Sequence, residues 1–218
     1  MSVTIACLHT AESNIAVYET AAKALGLPEG MLRHHVRADL LLAAEKVGRL
    51  TDEISAETAA LLWHLAEDAD AVVLNCSTLG PAALKVAAGA EAPIIRADAM
   101  LAEQAVKAGG KVIVLCTVET TIAPTTALFE TAAKATGAKI EVRLVPGAWA
   151  HFREGDLRAY LTSIAEAVKA VSGEGAVTIA FAQASMTDAV YLLPANCPKP
   201  MTGPAAALAA AMAKTTDS

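Results

Sequence analysis

The chain has 218 residues, of which 55% are hydrophobic, enough for one or two domains with a large core. Its 17 Lys and Arg against 23 Asp and Glu give a net charge of −6 with no basic block, which argues against nucleic acid or an anionic membrane surface as a partner. The first ten residues (MSVTIACLHT) have no charged n-region, and the longest alanine-rich run near the end, AAALAAAMA, is too short to span a bilayer, so the expectation is a cytoplasmic chain.

In chain order, short runs rich in β-branched residues fall at 3–8, 32–37, 71–75, 92–96, 111–116, 139–145 and 176–182. Alanine-rich helical stretches separate them at 15–25, 53–68, 98–108, 123–136, 157–171 and 204–213. GLPEG at 26–30 reads as a helix stop, and Pro81 stands where a helix would open after CSTLG. The strands are apolar on both faces, which predicts an α/β fold with parallel sheets covered by helices on each side.

The sequence also repeats itself. LHTAESNIA (8–16) aligns with LCTVETTIA (115–123), placing Thr10 on Thr117 at an offset of 107. The same offset sets Cys76 on Gln183, Thr78 on Ser185, Leu79 on Met186 and Pro93 on Pro200. One register at separated places predicts two homologous halves, 1–105 and 106–218, with a cleft between them. Ligands of open α/β folds sit at the carboxyl ends of strands, near helix N-termini. The loops there carry Thr10, Ser13 and Asn14; Cys76, Ser77 and Thr78; Thr117, Thr120 and Thr121; and Gln183 and Ser185. These are neutral hydrogen-bonding groups around one thiol, suited to a small carboxylate held without a Lys or Arg clamp.

Cys76 ends an apolar strand and precedes Ser-Thr-Leu-Gly-Pro, so a following helix N-terminus would lower its pKa from the ordinary thiol value near 8.5. Cys7 and Cys116 read as core, with Cys116 also close to the expected cleft; Cys197 lies in a proline-rich loop. No CxxC, HxH or HExxH spacing is present, so no metal site is expected. His34 and His35 share one strand and point to opposite sides. His9 stands beside the Thr10 loop, and His151 and Trp149 fall in an irregular stretch, each open to a cleft or a structural role. Glu12 and Glu119 suit the first turns of helices.

CLHTAESN, LNCSTL, VLCTVETTIAPTTALFE and AFAQASM, taken together over residues 3–205, resemble the aspartate/glutamate racemase superfamily. The resemblance implies two pseudo-symmetric flavodoxin-like halves, each a mainly parallel four-stranded sheet, and cofactor-independent chemistry beside a substrate carboxylate. Hydantoin racemases, maleate isomerases and arylmalonate decarboxylases belong to the same group. In its racemases two cysteines face each other across the substrate, one removing the Cα proton and the other delivering one. Cys76 matches the first position, and Gln183 occupies the second. A carboxamide exchanges no proton at neutral pH. The resemblance therefore implies an isomerase of a small carboxylic acid with Cys76 as acid/base, or alternatively a single-cysteine decarboxylase or an inactive carboxylate-binding protein. Thr10, Asn14, Ser77, Thr78, Thr117, Thr121, Gln183 and Ser185 are its expected substrate-binding residues, and the chain is a candidate homo-oligomer.

Overall fold

The computed structural model describes residues 3–216 apart from Ala87 and Ala176. Two parallel sheets form the framework. The first has strands β1 (Ile5–His9), β2 (Leu32–Val36), β3 (Ala71–Leu74) and β4 (Ile94–Arg96) in the order β2-β1-β3-β4. The second has β5 (Lys111–Cys116), β6 (Lys139–Leu144) and β7 (Val177–Phe181) in the order β6-β5-β7. Eight α-helices are described: α1 (Ser13–Ala24), α2 (Ala38–Val47), α3 (Asp52–Glu67), α4 (Ala97–Val106), α5 (Ile122–Ala133), α6 (Ala148–Arg153), α7 (Leu157–Ser172) and α8 (Gly203–Thr216). None of the described helices is long and apolar enough to cross a membrane.

The repeat is visible in strand register. Ile5 pairs with Ala71 in the first sheet, and Val112 pairs with Thr178 in the second, each 107 residues on. The outer pairing slips by one, since Ile5 meets Leu32 while Val112 meets Ile140. The expected fourth strand of the second half is reduced to a single bridge between Ala180 and Met201. Met201 donates to the Ile179 carbonyl at 2.8 Å and accepts from the Phe181 N–H at 3.0 Å. Pro198 and Pro200 precede it and have no N–H, so the ladder cannot extend backwards. The expected first residue of β7, Ala176, lies outside the described residues.

Both faces of each sheet are covered, as their two-sided apolar strands require. In the first sheet Ile5, Cys7 and Val73 pack beneath α1 and α8, while Ala6, Leu8, Val72 and Leu74 pack against α2 and α3. In the second, Val112, Val114 and Ala180 meet α4 and α5, and Ile113, Leu115 and Ile179 meet α7. The last helix of each half thus lies over the sheet of the other: α4 on the second, α8 on the first.

The helix stop at GLPEG holds. Gly26 takes φ +71° and the Leu27 N–H reaches back to the Ala22 carbonyl at 3.0 Å, closing α1 in a left-handed cap. Two helices were not expected, α2 and the short α6. The helix expected from Pro81 is instead a six-residue 3-10 segment, Gly80–Lys85, held by bonds such as Ala82 N–H to the Leu79 carbonyl at 2.9 Å.

Candidate active site

Cys76 follows β3 by two residues, after Asn75 has continued the ladder by donating to the Leu8 carbonyl at 2.9 Å. The thiol is half-buried at the carboxyl end of the first sheet. Burial raises its pKa above the ordinary value; N–H groups of Leu79 and Thr78 and the Thr10 hydroxyl act in the opposite direction, and the Asp98 charge adds to the rise. The lowering expected from a helix N-terminus is therefore not found. The segment that follows is a short 3-10 turn with little dipole, and loss of solvent outweighs the donors it supplies. Those donors would still stabilise a thiolate once one formed.

Gln183 stands at the equivalent strand end of the second sheet, after β7. Its Oε1 accepts from the Thr117 N–H at 3.0 Å and the Thr117 hydroxyl at 3.4 Å, and its Nε2 donates to Thr121 Oγ1 at 3.1 Å. Both ends of the carboxamide are thereby held. Thr10, Asn14, Cys76, Ser77, Thr78, Thr121, Gln183 and Ser185 line one narrow cleft of about 40 Å³, and Thr117 lies beneath Gln183.

The hydroxyl groups of this cleft largely bond to one another. Thr78 pairs with Thr120 at 3.0 Å and Thr121 at 3.2 Å, and Ser77 donates to the Ala182 carbonyl at 2.9 Å. Tyr160, fully buried, links Ser185 at 2.8 Å to Thr117 at 3.3 Å. The expected ring of donors is present as a closed network, so a bound anion must take over bonds already made. One open position is the Asn14 side-chain oxygen, buried with no hydrogen-bond partner. Replacing Tyr160 by Phe leaves Ser185 and Thr117 each short of a partner. We expect it to lower unfolding free energy by about 1–3 kcal/mol in urea denaturation, with the far-ultraviolet spectrum unchanged.

Asp98, Arg96 and Phe152 contribute to the cleft and were missed in the sequence, while Trp149, open there to a cleft or a structural role, lines it. Asp98, at the start of α4, lines it and forms a two-pronged ion pair with Arg96, Nε to Oδ1 at 3.1 Å and Nη2 to Oδ2 at 2.8 Å. The Arg96 guanidinium lies over Gly80, where an added Cβ would stand 2.5 Å from Nη2, so a side chain there would have to displace the guanidinium from its place beside Asp98. Trp149 and Phe152, stacked at 4.7 Å on α6, form an aromatic wall. Charged residues beside a three-residue strand and a one-and-a-half-turn helix give no periodic signal, which is why Arg96, Asp98 and Phe152 did not stand out.

The structure settles the open roles of the histidines in favour of structural ones. His151 does not line the cleft. His9 is fully buried behind it, its Nε2 2.9 Å from His34 Nδ1 and its Nδ1 3.1 Å from Asn75 Nδ2, and Asn75 lines the cleft. His34 Nε2 in turn meets Glu19 Oε1 at 2.9 Å. Burial, with His34 and His35 nearby, pulls His9 down to about 3, so it is neutral. Cys7, His9 and His34 bring their ligating atoms within 4.8 Å of one another. Spacing along the chain hides this group, because the parallel register of β1 and β2 is what sets Cys7 opposite His34. Cys116 is buried core, its thiol pushed up to about 12, and Cys197 sits 3.2 Å from Ser172 Oγ, away from the cleft.

Solved structures of similar fold include a Picrophilus torridus aspartate racemase (TM-score 0.72, 11% identity, covering 98% of this chain and 94% of that one). Glutamate racemase isoform RacE1 from Bacillus anthracis also matches (TM-score 0.67, 15% identity, 99% and 81% covered), as does an aspartate racemase homologue from Pyrococcus horikoshii (TM-score 0.67, 12% identity, 99% and 100%). No curated protein matches the chain by sequence. At these identities the structures speak for the fold alone. The Asp/Glu/Hydantoin racemase family profile, however, matches residues 8–212, nearly the whole length, and the chain belongs to that family.

Proposed function

We propose that this protein is a cofactor-independent isomerase-type enzyme that moves a proton at the carbon beside the carboxylate of a small acid, with Cys76 as the group that takes and returns it. The observation that carries this reading is the setting of the thiol: it lines the cleft at a strand end, the Thr78 and Leu79 N–H groups and the Thr10 hydroxyl favour its thiolate, and the only other ionisable group lining the cleft among the described residues, Asp98, is engaged by Arg96. A thiolate formed there would be held by the Thr78 and Leu79 N–H groups and the Thr10 hydroxyl. The substrate carboxylate would be taken up by Ser77, Thr78, Thr121 and Ser185, which exchange their mutual bonds for bonds to the anion. Asn14, with its free acceptor oxygen, suits an ammonium or hydroxyl donor on the same acid.

Gln183 makes the chemistry one-sided. Racemisation needs proton removal on one face and delivery on the other, and a fixed carboxamide can do neither. This favours a second reading, a decarboxylase in which the protonated Cys76 thiol hands its proton to the enolate left after loss of CO2. Single enantiomers of small amino and hydroxy acids, and a substituted malonate, incubated in heavy water separate the possibilities. Deuterium entering at Cα with optical purity retained supports one-face exchange, and CO2 release from the malonate supports the lyase. Neither event with any acid tested, alongside binding of the acid, would leave a carboxylate-binding protein. Installing a second thiol with Gln183→Cys is expected to add loss of optical purity to the exchange.

A further inference from the structure

Behind the cleft, under α1, Cys7 and His9 project from the same face of β1, and His34 sits on β2 directly opposite Cys7. We propose that Cys7, His9 and His34 form a binding site for a divalent ion of the zinc type, with one coordination position left for water. One thiolate and two neutral imidazoles are the donor set that such a borderline-soft ion prefers, and three protein ligands with an open position is a known zinc arrangement.

The surroundings fit an ion as well as the ligands do. The outer nitrogen of His34 faces the Glu19 carboxylate at 2.9 Å, the acceptor that a metal-bound histidine requires, and that of His9 faces the Asn75 carboxamide at 3.1 Å, which can offer its oxygen by turning over. His9 Nε2 and His34 Nδ1 already point at each other 2.9 Å apart, so an ion inserted between them takes the place of one shared proton. Cys7 is fully buried, and a dication beside it would favour the thiolate that burial alone disfavours. Binding expels the Cys7 proton to solvent, and the thiolate with Glu19 then balances the two positive charges. Tyr18 packs its ring edge-on to His9 at 4.9 Å, and its hydroxyl is buried without a hydrogen-bond partner. A water carried on the ion would give it one. Entry is along α1, where Glu19 is half-exposed.

Occupancy would reach the cleft through Asn75. Without metal, Asn75 Nδ2 must donate to His9 Nδ1, because an amide nitrogen cannot accept. With the ion on His9 Nε2, the ring proton moves to Nδ1, and the Asn75 carboxamide must turn over to offer its oxygen. The cleft wall beside Cys76 then presents the opposite dipole. The proposal stands independently of the reaction assigned to Cys76.

The test is titration of the reduced, metal-free full chain with cobalt(II). One equivalent should produce a thiolate-to-cobalt charge-transfer band and the intense visible absorption of four-coordinate cobalt, both removed by zinc. Cys7→Ser should abolish the charge-transfer band, and Cys76→Ser should leave it intact. Glu19→Gln should weaken binding roughly 10–100-fold through its effect on His34. His34→Gln, at a position on the sheet edge, should weaken it at least as much and serves if Cys7→Ser fails to fold. No band at one equivalent, unchanged affinity in His34→Gln, or a band lost with Cys76→Ser and kept with Cys7→Ser would overturn the proposal.

Discussion

Cys76→Ser is expected to lower the rate of α-proton exchange, or of CO2 release, by about 10²–10⁴-fold while leaving the fold and the binding of a small carboxylate in place, because a serine hydroxyl is far too weak an acid to stand in for a thiol. Deuterium uptake followed by NMR, with binding measured separately by calorimetry, checks both halves of the expectation. The pH dependence distinguishes the two directions of proton transfer. The thiol is raised above its ordinary value, so the protonated form prevails at neutral pH. If the thiolate is the working base, exchange climbs with pH and continues to climb beyond the ordinary thiol range near 8.5. If the thiol is the working acid, the rate is flat at neutral pH and falls over that same range. A rate in Cys76→Ser equal to wild type would remove the thiol from the chemistry.

The largest loss of stability is expected at Arg96. Its guanidinium and the Asp98 carboxylate are 12% and 6% exposed, and each satisfies the other in a two-pronged bond. Arg96→Met keeps the stem volume but leaves a carboxylate buried without its partner, which costs about 3–5 kcal/mol. Urea unfolding measures this directly. Pairing the change with Asp98→Asn should recover most of the loss, since the unpaired charge and not the missing side chain is responsible. A loss under 1 kcal/mol in the single variant would mean that water or another group already solvates Asp98. Because the Asp98 charge also helps raise the Cys76 thiol, the double variant should shift the activity profile to lower pH.

The parts of this fold that could be read in the sequence are those that repeat. VTIACL, AVVLN and KVIVLC announce buried parallel strands because both their faces are apolar, and the offset of Thr10 and Thr117 reappears as matched register between β1–β3 and β5–β7. The site residues followed from the same offset, because equivalent strand ends in two facing halves open on one cleft. What could not be read depends on neighbours that are distant in the chain. The rise in the Cys76 pKa comes from packing around it, which no local motif records. Asp98 can line the cleft only because Arg96 pairs with it, and Gly80 leaves room for the guanidinium. His9 and His34 meet only through the β1–β2 pairing. Gln183 was legible as a departure from the two-cysteine pattern, but its clamping by Thr117 and Thr121 was not.

The exchange of α4 and α8 between the sheets bears on how the molecule can fold and move. A chain ending after α4 would carry a first sheet with one greasy face bare, since Ala207, Leu208 and Ala211 of α8 are what seal Ile5, Cys7 and Val73. The second sheet, by the same logic, waits for Leu101, Ala102 and Ala105 of α4. Neither unit reaches its native core until the other is made, so the nascent amino-terminal part must remain unfinished until the last helix emerges, and the two parts melt together. The same interlock resists a hinged, jaw-like gape between the sheets. Traffic into the cleft then rests on side-chain motion at its mouth, because the short aromatic helix is itself tied in: Ala148 is buried in the core of the second sheet and Phe152 packs on Tyr160 at 5.0 Å.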